Sequence, residues 1–269
     1  MGKDLKTYTE ANRHAWNQAA LIHQKHRGER LEAEFSGKGH TCLDAVLTAK
    51  MLEIGVADKN IAHLCCNNGI ELLSLMNLGA AGGVGFDISD VAITEAQRLA
   101  SVSESRAEFV RTDVFEIPES FDGRFDIVLF TIGALCWLPD LNAIFAKAKR
   151  LLRENGHLVI YDLHPFTLML AVEGEDAFKH PKQLEYSYFA TEPFINQKGI
   201  DYVGHTTYES STSYDFPHRF DEVLNTLCEI GFILRSFKEY PHDISNLFGH
   251  LEGEGKVPLC YLLHAKKGA

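Results

Sequence analysis

The chain has 269 residues, 45% of them hydrophobic and 23% charged, a balance that excludes global disorder and low complexity. A chain of this length buries enough surface to fold without disulfides or a structural metal. Lys and Arg number 26 against 37 Asp and Glu, a formal charge of −11, which argues against affinity drawn from nucleic-acid phosphates or an anionic membrane surface.

Residues 7–27 predict a helix, with Trp16, Ala19, Ala20 and His23 at helical spacing and no Gly or Pro before Gly28. A second helix is expected over 43–52. From residue 61 short apolar runs alternate with helical stretches. Strands are expected at 61–65, 82–86, 108–111, 125–131 and 157–163. The helix at 141–152 keeps Leu141, Ile144, Phe145, Ala148, Leu151 and Leu152 on one stripe and is expected to end at Asn155-Gly156. This alternation builds βαβ units, hence a doubly wound α/β fold with a mostly parallel sheet. Residues 1–58 read as an N-terminal helical cap of the same domain and 59–269 as the core. Within the core, about 165–216 form an irregular aromatic insertion after strand five. The chain resumes with a helix at 221–230 and strands at 232–240 and 257–265, whose short connection favours antiparallel pairing at the sheet edge.

The cysteines Cys42, Cys65, Cys66, Cys136, Cys228 and Cys260 form no C-x-x-C pair, and the start, 1–10, is polar. A cytoplasmic chain with reduced thiols is expected. The uncharged run 127–139 falls short of the about 20 residues of a bilayer span, so no membrane anchor is expected.

Ligands of such sheets bind outside the carboxyl ends of the strands. After the first strand stands Cys65-Cys66-Asn67-Asn68-Gly69, leading into a helix N-terminus. A dinucleotide fingerprint would place Gly at Cys65, Asn67 and Ile70, so close backbone approach to a pyrophosphate is disfavoured. Asp87 follows the second strand, 22 residues beyond Cys65, where a carboxylate can accept both hydroxyls of a ribose. Asp113 follows the third, where it can accept from an adenine amino group.

With these residues in view, the run 61–162 resembles the class I S-adenosylmethionine-dependent methyltransferases. Their first motif has its counterpart in Ile61-Ala62-His63-Leu64-Cys65-Cys66-Asn67-Asn68-Gly69, with His63 in place of the usual acid and Cys65 and Asn67 in place of glycines. It is closer to a small-molecule subgroup whose loop reads Leu-x-Cys-x-x-Gly. Gly85-Phe86-Asp87-Ile88-Ser89, Thr112-Asp113-Val114, Phe125-Asp126-Ile127-Val128, Leu135-Cys136-Trp137-Leu138-Pro139-Asp140-Leu141 and Asp162-Leu163-His164-Pro165 follow in the family's order. Asn12-Arg13, Trp16-Asn17 and Ala20 resemble the subgroup's opening helix. The resemblance implies a seven-stranded Rossmann-like sheet with an antiparallel edge strand, and S-adenosylmethionine as cofactor. Cys65, Asn67 and Gly69 would pass the methionyl part, Asp87 with Ile88 the ribose, and Asp113 with Val114 the adenine. Ile132 and Gly133 would lie beside the methionine and sulfonium. Trp16 either covers the cofactor or simply docks its helix.

His164, just past the fifth strand, is the candidate base, since imidazole titrates near neutral pH. The insertion and tail offer pocket candidates Tyr186, Tyr202 and His205, with Tyr188, Tyr208 and His242 behind them, and Trp137 after the fourth strand joins the candidates; an aromatic pocket suits a small organic acceptor. His23 and His26 stand three apart without a third ligand at diagnostic spacing, so no metal is expected and the pair is assigned to solvent. Thr131-Ile132-Gly133-Ala134 occupies the place where a nucleic-acid amino methyltransferase carries an Asn/Asp-Pro-Pro-aromatic run. The expectation is methyl transfer to a small molecule at an N, O, S or C atom. The alternatives are a non-catalytic ligand-binding protein or, less favoured, a nicotinamide-dependent oxidoreductase. Nothing in the sequence sets an oligomeric state.

Overall fold

The computed structural model describes residues 5–37, 39–173 and 175–268; the first four residues of the polar start lie outside them. Helix α1 (Leu5–Arg27) is followed by α2 (Arg30–Ser36), which the sequence reading does not anticipate, and α3 (Ala45–Ile54). Leu31 and Phe35, one turn apart on α2, are both buried. The alternating core then runs β1 (Asn60–Leu64), α4 (Ile70–Asn77), β2 (Gly82–Asp87), α5 (Asp90–Val102), β3 (Ala107–Arg111), β4 (Phe125–Thr131), α6 (Leu141–Leu151) and β5 (Leu152–Leu163). Asn155-Gly156 does not end α6: the helix stops at Leu151, and β5 begins at Leu152 and carries the Asn-Gly step within it.

The seven-stranded sheet has the order β3-β2-β1-β4-β5-β9-β8, with β8 at Phe232–Tyr240 and β9 at Cys260–Lys267. Neighbours from β3 to β5 are parallel, and β9 runs antiparallel to both β5 and β8. The expected antiparallel pair is thus present, with β9 one place in from the edge. Ile127, Val128, Leu129 and Phe130 are all 0% exposed, because helices cover both faces of a parallel sheet and alternation gives way to a continuous apolar run. Val128 and Phe130 pack with α6 and α7 (Phe220–Ile230), while Ile127 and Leu129 pack with α3, α4 and α5.

Strand order reverses at β1, which pairs with β2 on one side and β4 on the other. That opens a crevice at the carboxyl ends of these strands. Its roof comes from α1 and the insertion. The insertion is less irregular than expected, since it contains an antiparallel hairpin of β6 (Phe194–Lys198) and β7 (Glu209–Asp215). Asn12 of α1 joins that hairpin as a strand neighbour would: its Nδ2 donates to the Tyr214 carbonyl at 3.0 Å and its Oδ1 accepts from the Tyr214 amide at 2.7 Å. His23 and His26 do not face solvent as a pair. His23 is 1% exposed with Nε2 donating to the Ile200 carbonyl at 2.9 Å, and His26 Nε2 lies 3.1 Å from Thr206 Oγ1. Both pin the insertion to α1. Among the described residues, no helix is long and apolar enough to cross a membrane.

Candidate functional site

Between the strand ends and this roof lies a cavity of about 1300 Å³. Its floor starts at the turn after β1. Cys65 (φ 55°), Asn67 (φ 49°) and Gly69 (φ 75°) all hold left-handed backbone, so the turn keeps the shape glycines would give it although two side chains replace them. Cys65 and Asn67 line the cavity, whereas Gly69 does not. Gly69 serves packing: a Cβ there would come within 2.2 Å of the Phe109 ring on β3. Asn67 accepts from the Asn68 amide through Oδ1 at 2.8 Å and donates to the Tyr202 hydroxyl through Nδ2 at 3.2 Å, joining floor to roof.

Asp87, at the end of β2, accepts from the amides of Asn67 and Ser89, each at 2.8 Å. Burial pushes its carboxyl up, against those amides that favour its charge. Asp113, past β3, caps the 3-10 turn Val114–Glu116 through the Phe115 amide at 3.0 Å. Asp87, Ile88, Asp113 and Val114 all line the cavity.

After β4, Ile132 (φ 30°) and Gly133 (φ 75°) turn the chain along the cavity wall. Asp162 holds this turn, a role the sequence reading missed. It is 3% exposed and accepts from the amides of Gly133, Leu163 (2.7 Å) and Leu135 (3.1 Å). Burial raises its pKa, opposed by the same amides. The available signal was its place at the end of a central strand, like that of Asp87. His63, in the position of the usual acid, is 0% exposed with Nε2 2.7 Å from Thr131 Oγ1, and burial pushes it down to about 3, so it is neutral.

The roof brings Trp16, Tyr202, Tyr186 and His205 together with Trp137 from the 3-10 turn Leu135–Trp137 after β4, all lining the cavity. Trp16 meets Trp137 edge-on with ring centres 5.1 Å apart, so docking of α1 and covering of the cavity are one contact. Tyr188, Tyr208 and His242 are not among the lining residues. His164 is also set apart. It is 7% exposed and caps the 3-10 turn Pro165–Met169: Nδ1 accepts from the Phe166 amide at 2.9 Å, which leaves Nε2–H to donate to Glu239 at 2.8 Å. With both nitrogens engaged away from the cavity and its pKa lowered by burial, His164 is placed to cap a turn rather than to take a proton from a ligand.

Sequence reasoning also missed Arg27. Its side chain is 9% exposed and lines the cavity, and its Nη1 is buried with no hydrogen-bond partner; the nearest Glu95 oxygen lies 3.9 Å away. Glu95 thus balances the charge, and the Nη1 donor is left for an acceptor on a ligand such as a carboxylate oxygen. The nearby thiols of Cys65, Cys66 and Cys136 are all pushed up by burial and are therefore not thiolates. Among the described residues, no cluster of His, Cys, Asp and Glu could hold a metal.

Residues 61–156 match the family described as a methyltransferase domain. The chain is 30% identical over 107 residues to the biotin biosynthesis bifunctional protein BioCD of Bordetella avium (strain 197N), covering 40% of this chain and 22% of that protein. It is 26% identical over 155 residues to phthiotriol/phenolphthiotriol dimycocerosates methyltransferase 1 of Mycobacterium ulcerans (strain Agy99), covering 57% of this chain and 55% of that protein. The chain therefore spans about half the length of these curated relatives, or less. A solved S-adenosylmethionine-dependent methyltransferase from Mesorhizobium loti superposes with a TM-score of 0.56 at 19% identity, over 82% of this chain and 96% of that one. At that identity the likeness is one of fold. Residues 61–156 are thus similar to a methyltransferase domain, and the sheet that holds them has the Rossmann-like fold of the solved methyltransferase.

Proposed function

We propose that the protein transfers a methyl group from S-adenosylmethionine to a small-molecule acceptor. The observation that carries this reading is the donor and acceptor set of the cavity: carboxylates on the ends of successive strands, Asp87 and Asp113, with Arg27, ion-paired with Glu95 but with its Nη1 free of hydrogen bonds, in the same wall. A ribose, an adenine amino group and an amino-acid carboxylate need that combination, and a pyrophosphate does not. Bound there, the cofactor supplies a methyl group activated by its sulfonium. Arg27 would hold the carboxylate, Asp87 the ribose hydroxyls, and Asp113 with Val114 the adenine. The turn held by Asp162 forms the wall beside the methionyl part, and Trp16, Trp137 and Tyr202 exclude water from it. Much of the rate comes from such positioning and desolvation.

The cavity of about 1300 Å³ exceeds the roughly 300–1,000 Å³ of a site for one drug-sized ligand, leaving room for cofactor and acceptor together. The charge of −11 supports a small molecule rather than nucleic acid as acceptor. Free cysteines throughout support a cytoplasmic setting.

Calorimetric titration with S-adenosylmethionine, S-adenosylhomocysteine and NADH tests the reading. Binding of both sulfur compounds but not NADH is expected. Silence toward the sulfur compounds would sink it and favour a protein that binds some other ligand on this fold.

A further inference from the structure

The insertion builds one end of the cavity, and Arg27 stands at another. At the insertion end, Asp215 closes β7, Ser213 lies two residues before it on the same strand face, and Glu175 and Tyr186 complete the wall; all line the cavity. Ser213 is 1% exposed, yet its Oγ has no hydrogen-bond partner; Asp215 Oδ1 is likewise buried and unmet. The other Asp215 oxygen accepts from Asn196 Nδ2 at 2.8 Å, and Glu175 accepts from the Tyr186 hydroxyl at 2.9 Å. Groups buried without partners are costly unless a ligand completes them.

This end adjoins the reacting side of the proposed cofactor site. The Phe216 amide, next to Asp215, donates to the Cys136 carbonyl at 2.7 Å, and Cys136 Sγ donates to the Gly133 carbonyl at 3.2 Å. Asp215 is thereby tied through Cys136 to the turn that carries Ile132 and Gly133. The wall also suits one charge type. Asp215 and Glu175 stand with the rings of Trp137, Phe194 and Tyr186, a setting that attracts a cation. Arg27 and Arg30 line the cavity from the helical side; Lys198 is the lysine lining it from the insertion.

Resting on the methyl-transfer reading, we infer that Asp215 and Ser213 form the acceptor subsite, that the acceptor is a small amine, and that Asp215 Oδ1 takes a proton from its ammonium nitrogen. In that step an N–H bond breaks and an O–H bond forms. The carboxylate becomes a neutral acid and the nitrogen keeps the electron pair with which it can attack a methyl carbon. Burial pushes the Asp215 carboxyl up to about 7, which matches it to such an exchange near neutral pH. Asp215 takes the part that the sequence reading gave to His164.

The test is calorimetric titration of the full chain with phenethylamine and with 3-phenylpropionate, each with and without S-adenosylhomocysteine. Wild type, Asp215→Asn and Ser213→Ala are compared. Wild type should bind the amine more tightly than the acid; Asp215→Asn should lose about tenfold or more in amine affinity and Ser213→Ala about threefold, as expected for lost charged and neutral hydrogen bonds. S-adenosylhomocysteine should bind all three chains alike. Equal amine affinity in wild type and Asp215→Asn overturns the inference, as does a wild type that prefers the acid or binds neither probe. If Asp215→Asn does not fold, an undiminished amine affinity in Ser213→Ala overturns the subsite. A wild type that ignores S-adenosylhomocysteine but binds the amine through Asp215 removes the methyl-transfer reading and leaves the subsite standing.

Discussion

Cys65 and Asn67 occupy left-handed backbone without being glycine, at a cost of about 1–2 kcal/mol for a residue with a Cβ, less for Asn. What offsets that cost is visible in the bonds around them: the Asn67 amide on Asp87, and the Asn67 side chain on Asn68 and Tyr202. Asp87 therefore has a structural task as well as the ligand task proposed for it. Asp87→Ala should weaken S-adenosylhomocysteine binding by about 1.5–3 kcal/mol, read by calorimetry, through lost hydrogen bonds to a charged group. An unchanged dissociation constant in a folded variant would remove Asp87 from the ligand site. Asp162→Ala leaves the Gly133, Leu135 and Leu163 amides without their acceptor and should cost about 1–3 kcal/mol for each donor left buried, seen as a lower Tm. Asp87 and Asp113 could be recognised from their spacing because a carboxylate at a strand end has a known use there. Arg27 could not, because a helix whose docking no local pattern encodes brings it to the cavity; Asp162 shares the strand-end signal, but its partners include amides of a turn 27 and 29 residues away.

At the scale of elements, most of the sheet was legible, since buried parallel strands are short apolar runs set off by helices, although β5 starts at Leu152 rather than at 157 and β9 at Cys260 rather than at 257. The expected strand 125–131 coincides with β4, and 232–240 with β8. The insertion was not legible. Its hairpin has an exposed, polar β6, and its order comes from bonds to α1 that join residues far apart in sequence. Asn12→Ala removes both bonds to the Tyr214 backbone, and hydrogen exchange at the Tyr214 amide should then rise. The loss should be about 1–3 kcal/mol of local stability. Unchanged exchange there would show that the roof is held by other contacts. His164 belongs to the same lesson: its position in sequence suggested chemistry, while the turn that follows takes its Nδ1 and Glu239 of β8 takes its Nε2–H.

For the molecule as a whole, several histidines are buried in the neutral form. Burial pushes His63 down to about 3 and both His23 and His264 to about 4. In the unfolded chain each titrates near 6.5, so the unfolded state binds more protons below that pH. The stability contribution of the neutral form is therefore present above pH 6.5 and is lost as pH falls toward the folded values. At one unit below 6.5 each of these histidines costs about 1.4 kcal/mol. Asp215 works in the opposite sense, since a buried carboxyl pushed up to about 7 loses stability as pH rises from the unfolded value toward 7. The histidine part is isolated by comparing wild type with His63→Gln in urea titrations between pH 7.5 and 5.5. The variant should show a flatter fall in stability by about that amount, and parallel curves would refute the assignment.

The two hydrogen bonds between Asn12 and Tyr214 join positions 202 residues apart. A chain emerging from the ribosome must therefore keep α1 waiting while β1 to β5 are made, and only after β7 has appeared can the cavity be covered. Loop closure over such a separation is slow. The parallel strands β1 to β5 with their strand-end carboxylates can form first, as an open tray, and the lid arrives after them. A ligand that bridges tray and lid would then act on folding as well as on function, capturing the late closure and shielding an apolar, aromatic interior that the nascent chain leaves bare.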